Sequence, residues 1–484
     1  MEETSGTRMV AAPQKSPDKR QHYSGTRSVG ISLRDVFATD LRFEASAYAL
    51  EARQAVEELY ASGLPVVPVL GKDGMCKEAH NAFRFKRTYV DAEYGVPFLS
   101  SSDIIGLRPE RGKYISLQRE KNAQKLKVKA WDILVSRSGT VGNIGLATPR
   151  INGWALSEDV IRLTASTPIE AGFLVAFLRT QWGKAQLDGV TYGSVVQHIE
   201  PKHLEHVLVP VLPAMLKAKI GNAFVDAALK RDKANELLDM AEEQLQKTLK
   251  LPVMPVVTEG PLVSCPKLSA WRGRFDASFH SPQAFWVEQQ LRKSNMPLSR
   301  LGDAHIAAIK AVTKFRKRVY VPKGGIPLLS SKQIFQIDPI GVKGLARGAH
   351  TDDLEEIALK PNYLVITRSG TIGRVFLVPE YMDGWATSEH SIRVVANDTI
   401  LSGYLYAWLA SYYGQALIKR YSYGSVILEI DRFMIAEIPV PFPEHGAVVH
   451  IADLVLQGSK LRDEAWQLEQ GALALLKDRI QKKK

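Results

Sequence analysis

The chain has 484 residues, 45% hydrophobic and 24% charged, which excludes a single small core and predicts roughly two to four folded domains. Its net charge of +12 points to an anionic partner such as nucleic acid or an acidic membrane surface, although a merely soluble basic protein has the same balance. The two cysteines, Cys76 and Cys265, form no CxxC pair and exclude a thiolate zinc site, and no disulfide framework is expected, fitting a reducing cytoplasm; no apolar run is long enough to span a membrane.

Residues 1–30 are polar, lack the apolar core of a secretory signal and are expected to be a disordered tail. The first globular unit is placed at 31–213. It contains a basic, aromatic stretch, FRFKRTYV (83–90), then GVPFLSSSDI (95–104). Trp131–Ser136 is an apolar, β-branched run of strand length, followed by RSGT and a second apolar run. This predicts strand, tight turn, strand, with glycine supplying the positive φ. Residues 171–187 are helical by length and periodicity. Residues 214–250 carry an apolar seam of Ile220, Phe224, Ala227, Ala234, Leu238, Ala241 and Leu245, interrupted by Arg231, with no proline. A helix of that length, about 55 Å, needs a partner for its stripe. A proline- and glycine-rich linker (251–266) cannot continue it. A second unit is placed at 267–443 and a second long helix at 444–484, with Val448, Ala452, Val455, Trp466, Leu473, Leu476 and Ile480 on one seam. The two helices are expected to pair as a coiled coil; the alternative is that each packs only on its own unit.

The two units repeat one another. Arg137–Leu163 and Arg368–Val394 are identical at 13 of 27 positions without gaps at an offset of 231. Unrelated segments would share roughly one or two. TYGSVVQHIEPKHLEHVLVPVLP (191–213) matches SYGSVILEIDRFMIAEIPVPFP (422–443) at the same offset. GVPFLSSSDI matches GIPLLSSKQI (325–334) one residue closer, FRFKRTYV matches KFRKRVYV (314–321), and RFEAS (42–46) echoes RFDAS (274–278). A period this long is a duplicated α+β domain, not a solenoid.

Catalytic signatures are missing. There is no phosphate loop of the Walker type, and GTVGNIG has GxxGxxG spacing within an apparent hairpin. DEAW (463–466) lies in the terminal helix and is expected to be a solvated face. His198, His203 and His206 have the composition of a metal site. The second copy has Glu429, Met434 and Glu437 there, so a polar surface is expected instead, with no metal.

RFDASFHSP, GIPLLSSKQI, ITRSGTIG and SYGSVILEI…IPVPFP, duplicated in a domain–helix–domain–helix chain, resemble the specificity subunits of type I restriction–modification systems. The resemblance runs from about residue 30 to the end. It implies two target-recognition domains, each reading half of a bipartite site in double-stranded DNA. It implies a helical spacer that docks DNA methyltransferase (modification) subunits, and an endonuclease/translocase (restriction) subunit joining that core. S-adenosylmethionine, Mg and ATP would serve those partners, leaving this chain non-catalytic, without a cofactor of its own and cytoplasmic, with no membrane role. Alternatives are a structural adaptor binding protein partners through its coiled coil, and a specificity subunit of a related methylation-based defence system.

Candidate DNA contacts follow from two rules. Residues common to both copies are expected to hold the fold or touch phosphates. These are Arg84, Lys86, Arg87, Arg316, Lys317 and Arg318 of the basic stretches, Arg137, Ser138 and Thr140 with Arg368, Ser369 and Thr371 of RSGT, and Tyr192 and Ser194 with Tyr423 and Ser425. For Arg137 and Arg368 the alternative is internal pairing with Glu158 and Glu389. Residues in the stretches that differ (105–128 and 335–358) are expected to discriminate bases: Arg108, Arg111, Gln118, Arg119 and Asn122 in the first copy, Arg347 and His350 in the second, with Gln197 opposite Leu428.

Overall fold

A computed structural model of the chain describes residues 31, 33, 36, 48–109, 113–118, 120, 122–138, 141–193, 197–253, 273–311, 318–350 and 354–482. The expected tail, Cys265, RFEAS, and candidates Arg111, Arg119, Thr140, Ser194, Arg316 and Lys317 lie outside the described residues.

Among the described residues the first unit contains helix α1 (Leu50–Ala61) and strands β1 (Val66–Pro68), β2 (Glu78–Asn81), β3 (Tyr89–Val90), β4 (Val96–Leu99) and β5 (Tyr114–Ile115). A short helix α2 (Ala123–Leu126) precedes β6 (Ile133–Ser136), β7 (Ile144–Leu146), β8 (Ala155–Leu156) and β9 (Val160–Thr164). Helices α3 (Pro168–Leu178) and α4 (Gln181–Gly189) and strand β10 (Leu208–Pro210) complete it, and the long α5 (Ala214–Leu249) leaves it. The second unit runs α6 (Pro282–Lys293), β11 (Leu298–Arg300), β12 (Ala307–Ala311), β13 (Tyr320–Val321), β14 (Ile326–Leu329), β15 (Lys343–Leu345), α7 (Leu354–Ile357), β16 (Leu364–Thr367), β17 (Val375–Leu377), β18 (Ala386–Thr387) and β19 (Ser391–Ala396). It ends with α8 (Thr399–Ala410), α9 (Tyr412–Arg420), α10 (Arg432–Ala436), β20 (Pro439–Pro441) and the long α11 (His445–Gln481).

The duplication extends to strand order. The first unit has sheets β2-β9-β6-β7, β3-β5-β4-β8 and β1-β10; the second has β12-β19-β16-β17, β13-β15-β14-β18 and β11-β20. In the sheet behind RSGT, Ile133, Leu134 and Val135 pair antiparallel with Leu146, Gly145 and Ile144. The connection is longer than the expected tight turn. The ladder closes at Ser136 and Asn143, leaving six residues in the loop, with Gly142 at φ 78°. The predicted single helix over 171–187 is two. Thr180 ends α3 by bonding the Phe177 carbonyl and caps α4 by accepting from Gly183 N–H. Ser411 does the same between α8 and α9.

The long helices run antiparallel, with Ala234 beside Gly458 and Arg231 beside Glu469. Each also serves both units. The first half of α5 packs on α3 so closely that a Cβ on Gly172 would meet the Gly221 carbonyl oxygen at 2.4 Å. Its second half, through Leu238, Ala241 and Leu245, enters the core of the second unit. Reciprocally, Ala472, Leu476 and Ile480 of α11 enter the core of the first. The helices therefore pair with one another, as the seam predicts, and do not pack only on their own units; a helix this long has enough surface for three neighbours.

The interruption at Arg231 belongs to a buried ionic cluster at the middle of the helix pair. Arg231 bonds both Glu469 oxygens, at 2.6 and 2.8 Å, and Arg179 of the first unit bonds the same carboxylate at 3.0 Å. Arg462, the repeat equivalent of Arg231, donates to Asn235 Oδ1 at 3.1 Å, and Asn235 donates to the Leu107 carbonyl at 3.0 Å. Leu107 N–H donates to Phe335 O (2.9 Å) and Ile337 N–H to Ile105 O (2.8 Å), a reciprocal bridge between the two units. Residues 105 and 107 are the repeat equivalents of 335 and 337, so the bridge and the centre of the helix pair lie on one pseudo-two-fold axis. DEAW is not a solvated face: Asp463 accepts from Tyr381 N–H at 3.0 Å and Trp466 stacks on Tyr381 at 4.5 Å. Asp232, its equivalent, accepts from Thr148 Oγ1 and Arg150 N–H, so this pair of aspartates docks both units on their helices.

Candidate nucleic-acid interface

In each unit the shared motifs meet at one loop rim. In the first, Arg137 N–H donates to the Asp159 carbonyl at 2.8 Å, and Ser138 Oγ donates to Asp159 Oδ1 at 2.6 Å. Residues 192 and 198 exchange backbone bonds at 2.9 and 2.8 Å, and Ile199 N–H donates to the Arg137 carbonyl. The basic stretch joins through Arg87, which bonds Glu158 at 2.8 Å and Ser157 at 3.2 Å and lies over the Phe98 ring. The second unit repeats this with Arg318 on Glu389, Ser369 on His390 at 2.6 Å, Arg368 N–H on the His390 carbonyl, and residues 423 and 429 exchanging backbone bonds. Ser331 Oγ, in the LLSS turn, also donates to the His390 carbonyl at 2.9 Å.

The Glu158 and Glu389 carboxylates are thus taken by Arg87 and Arg318, not by the RSGT arginines. Arg137 pairs with Glu200 at 2.8 Å, where the Tyr192 hydroxyl also donates at 2.8 Å. The Tyr192 hydrogen bond, and then the Arg137 guanidinium, hold the Glu200 carboxyl below its usual range. Arg368 pairs with Glu429 at 3.5 Å and donates to the Ile430 carbonyl. The carboxylate has moved two residues between copies, from 200 to the equivalent of 198. Both positions share one face of an extended segment, so the pair survives the shift.

The remaining candidates separate by exposure. Arg84, Lys86, Gln118, Asn122, Gln197, Arg347, Thr371 and Ser425 are exposed, and Tyr192 and Tyr423 are half-buried with their hydroxyls on Glu200 and Glu429. Two assignments are corrected. Arg108 is turned to the long helix, with its guanidinium on Asp239 at 2.7 Å and Glu242 at 3.7 Å. His350 is buried, and its Nε2 accepts from Val319 N–H at 2.9 Å, pinning the second basic stretch from behind. Of the three first-copy histidines, His203 is buried, with Nδ1 accepting from Glu200 N–H and its ring against Tyr192.

Sequence reasoning missed two features of the rim. Asp159 and His390 differ between copies directly after the shared Ser-Glu pair, a difference visible in the sequence. The tip after Tyr423-Gly424 exposes consecutive apolar side chains, with Val426 94%, Ile427 62% and Leu428 44% accessible.

Two copies of one polar, basic loop rim, held by an antiparallel helix pair, define a duplicated recognition module. Residues 294–457, within the second copy, match the family described as type I restriction modification DNA specificity domain. Similar solved structures include the type I restriction–modification S subunit of M. genitalium (14% identity, TM-score 0.29, covering 86% of this chain and 98% of that one). The HsdS subunit of Thermoanaerobacter tengcongensis is similar at 12% identity and TM-score 0.28, covering 86% and 100%. The type IIG restriction endonuclease BpuSI is similar at 8% identity and TM-score 0.26, covering 40% and 30%. No curated protein matches the sequence. No helix among the described residues is long and apolar enough to cross a membrane.

Proposed function

We propose that this chain is the sequence-reading subunit of a type I restriction–modification complex. Each loop rim contacts one half of a bipartite site in double-stranded DNA, and the assembly delivers DNA methyltransferase subunits and an endonuclease/translocase subunit to that site in the cytoplasm. The chain is non-catalytic, and S-adenosylmethionine, Mg and ATP act in the partner subunits. One observation carries the reading: the same Arg–Ser pair, the last arginine of the basic stretch (Arg87 or Arg318) and the Tyr-Gly turn converge twice, and the two rims are related by the pseudo-two-fold axis. Such an arrangement fits a ligand with two separated, inverted half-sites, as a duplex presents to two-fold proteins. The test is sequencing of modified bases in cells with and without the chain. A two-part motif that disappears with the gene supports the reading; an unchanged methylation pattern, or loss of a single unbroken motif, removes it.

A further inference from the structure

We propose that the tip of the second rim, Val426-Ile427, is an apolar wedge that inserts between adjacent base pairs of its half-site; this rests on the DNA-binding reading above. The argument begins with exposure. Three consecutive apolar residues, 94%, 62% and 44% accessible, stand on a rim whose other members include Arg368, Ser369, His390, Tyr423, Ser425 and Glu429. They contribute little to the core of their own unit, and their exposure to water is unfavourable.

The tip is also built to hold its shape. Tyr423 and Glu429 close it with reciprocal backbone bonds of 2.9 and 2.8 Å. Gly424 sits at φ 101°, and a Cβ there would meet the Ile427 carbonyl oxygen at 2.4 Å, so the turn needs glycine. Gly370 N–H of the RSGT loop donates to the Leu428 carbonyl at 3.3 Å, and Arg368 grips Glu429, fastening the base of the tip to the rim. A rigid apolar projection flanked by the exposed hydroxyls of Thr371 and Ser425 matches a duplex better than an apolar protein groove: the hydroxyls meet phosphates while the projection meets the stacked bases. The first copy has Val195-Val196 at the equivalent sequence positions, so an apolar pair follows Tyr-Gly-Ser in both halves. A feature common to both halves suits deformation of the duplex. Neighbouring Gln197 and Leu428 differ and suit reading of the base beside it.

The experiment uses the full chain and duplexes carrying the bipartite motif, with 2-aminopurine placed in turn at each step of the second half-site. The unsubstituted chain is expected to raise the fluorescence of one step several-fold. Val426→Ser with Ile427→Ser, both at exposed positions, should abolish that rise and weaken specific binding roughly tenfold while leaving the salt dependence unchanged. The wedge is overturned if no step brightens in the unsubstituted complex, or if the double variant brightens it equally. It is also overturned if the variant keeps its DNA affinity and instead loses a methyltransferase subunit in co-purification. If the unsubstituted chain shows no preference for the motif over unrelated duplex, the DNA-binding reading fails, and not the wedge alone.

Discussion

Arg137 and Arg368 are the residues that advertise the duplication, yet their guanidiniums are occupied by Glu200 and Glu429. Arg84 and Lys86 are exposed and form no ion pair among the described residues. These two are expected to carry phosphate contacts. Arg84→Ala with Lys86→Ala should reduce the slope of log affinity against log salt by about 1.8, near 0.9 per contact, without changing the recognised sequence. A filter-binding salt series measures it. Arg137→Ala should instead leave the slope within error and lower stability by about 1 kcal/mol or less, because its partly exposed pair is screened. Thermal unfolding followed by circular dichroism separates the two. A steep fall in slope for Arg137→Ala would show that the arginine leaves Glu200 for phosphate on binding. The partner of Arg137 was not legible in the sequence for a physical reason. A six-residue loop, rather than a tight turn, carries the guanidinium past the neighbouring Glu158 to a segment 63 residues away.

At the scale of elements, the long helices were legible from their seams, and the interruption at Arg231 marked their centre. What the seam could not show is that Arg231, Arg179 and Glu469 share one buried site. Burial pushes the Glu469 carboxyl up, but the charges of Arg179 and Arg231 outweigh it and leave it below the usual carboxylate range. A carboxyl whose folded value is depressed contributes stability above its unfolded value, about 4.3 for glutamate, and loses it as pH falls through the folded value. Acid should therefore loosen the helix pair below about pH 4.3, and Glu469→Gln should flatten that part of the pH–stability profile. At neutral pH the same variant leaves two buried guanidiniums facing a neutral amide and should cost about 3 kcal/mol or more. Chemical unfolding at pH 7 and at acid pH tests both statements; an unchanged midpoint would mean that the cluster relaxes into water.

For the whole molecule, the doubled strand order follows from motifs repeated at one offset, so the architecture was readable from one chain. The location of sequence discrimination was readable only in part. Differences between copies were expected to mark base contacts, but Gly106 and Gln336 face one another across the axis, and Arg108 and Asp338 each reach a different partner there. Near a two-fold axis a residue meets its own counterpart, so the copies can become complementary and diverge for reasons unrelated to DNA. The later part of the divergent stretch, where Lys113, Gln118, Asn122 and Gln124 are exposed, is the better candidate reader. Exchanging it should change one half-site only, as sequencing of modified bases would show; a change in both halves would refute the division of labour. Arg108→Ala with Asp338→Ala should keep both half-sites but tolerate altered intervals between them. Affinity for duplexes with one base pair added or removed measures this. The reciprocal Leu107–Phe335 and Ile337–Ile105 bridge gives the interval its meaning. Every base pair inserted turns the far half-site about 34° around the duplex. Two rims clamped at their shared axis cannot follow that rotation, so affinity is expected to depend on helical phase as well as on the letters of the half-sites.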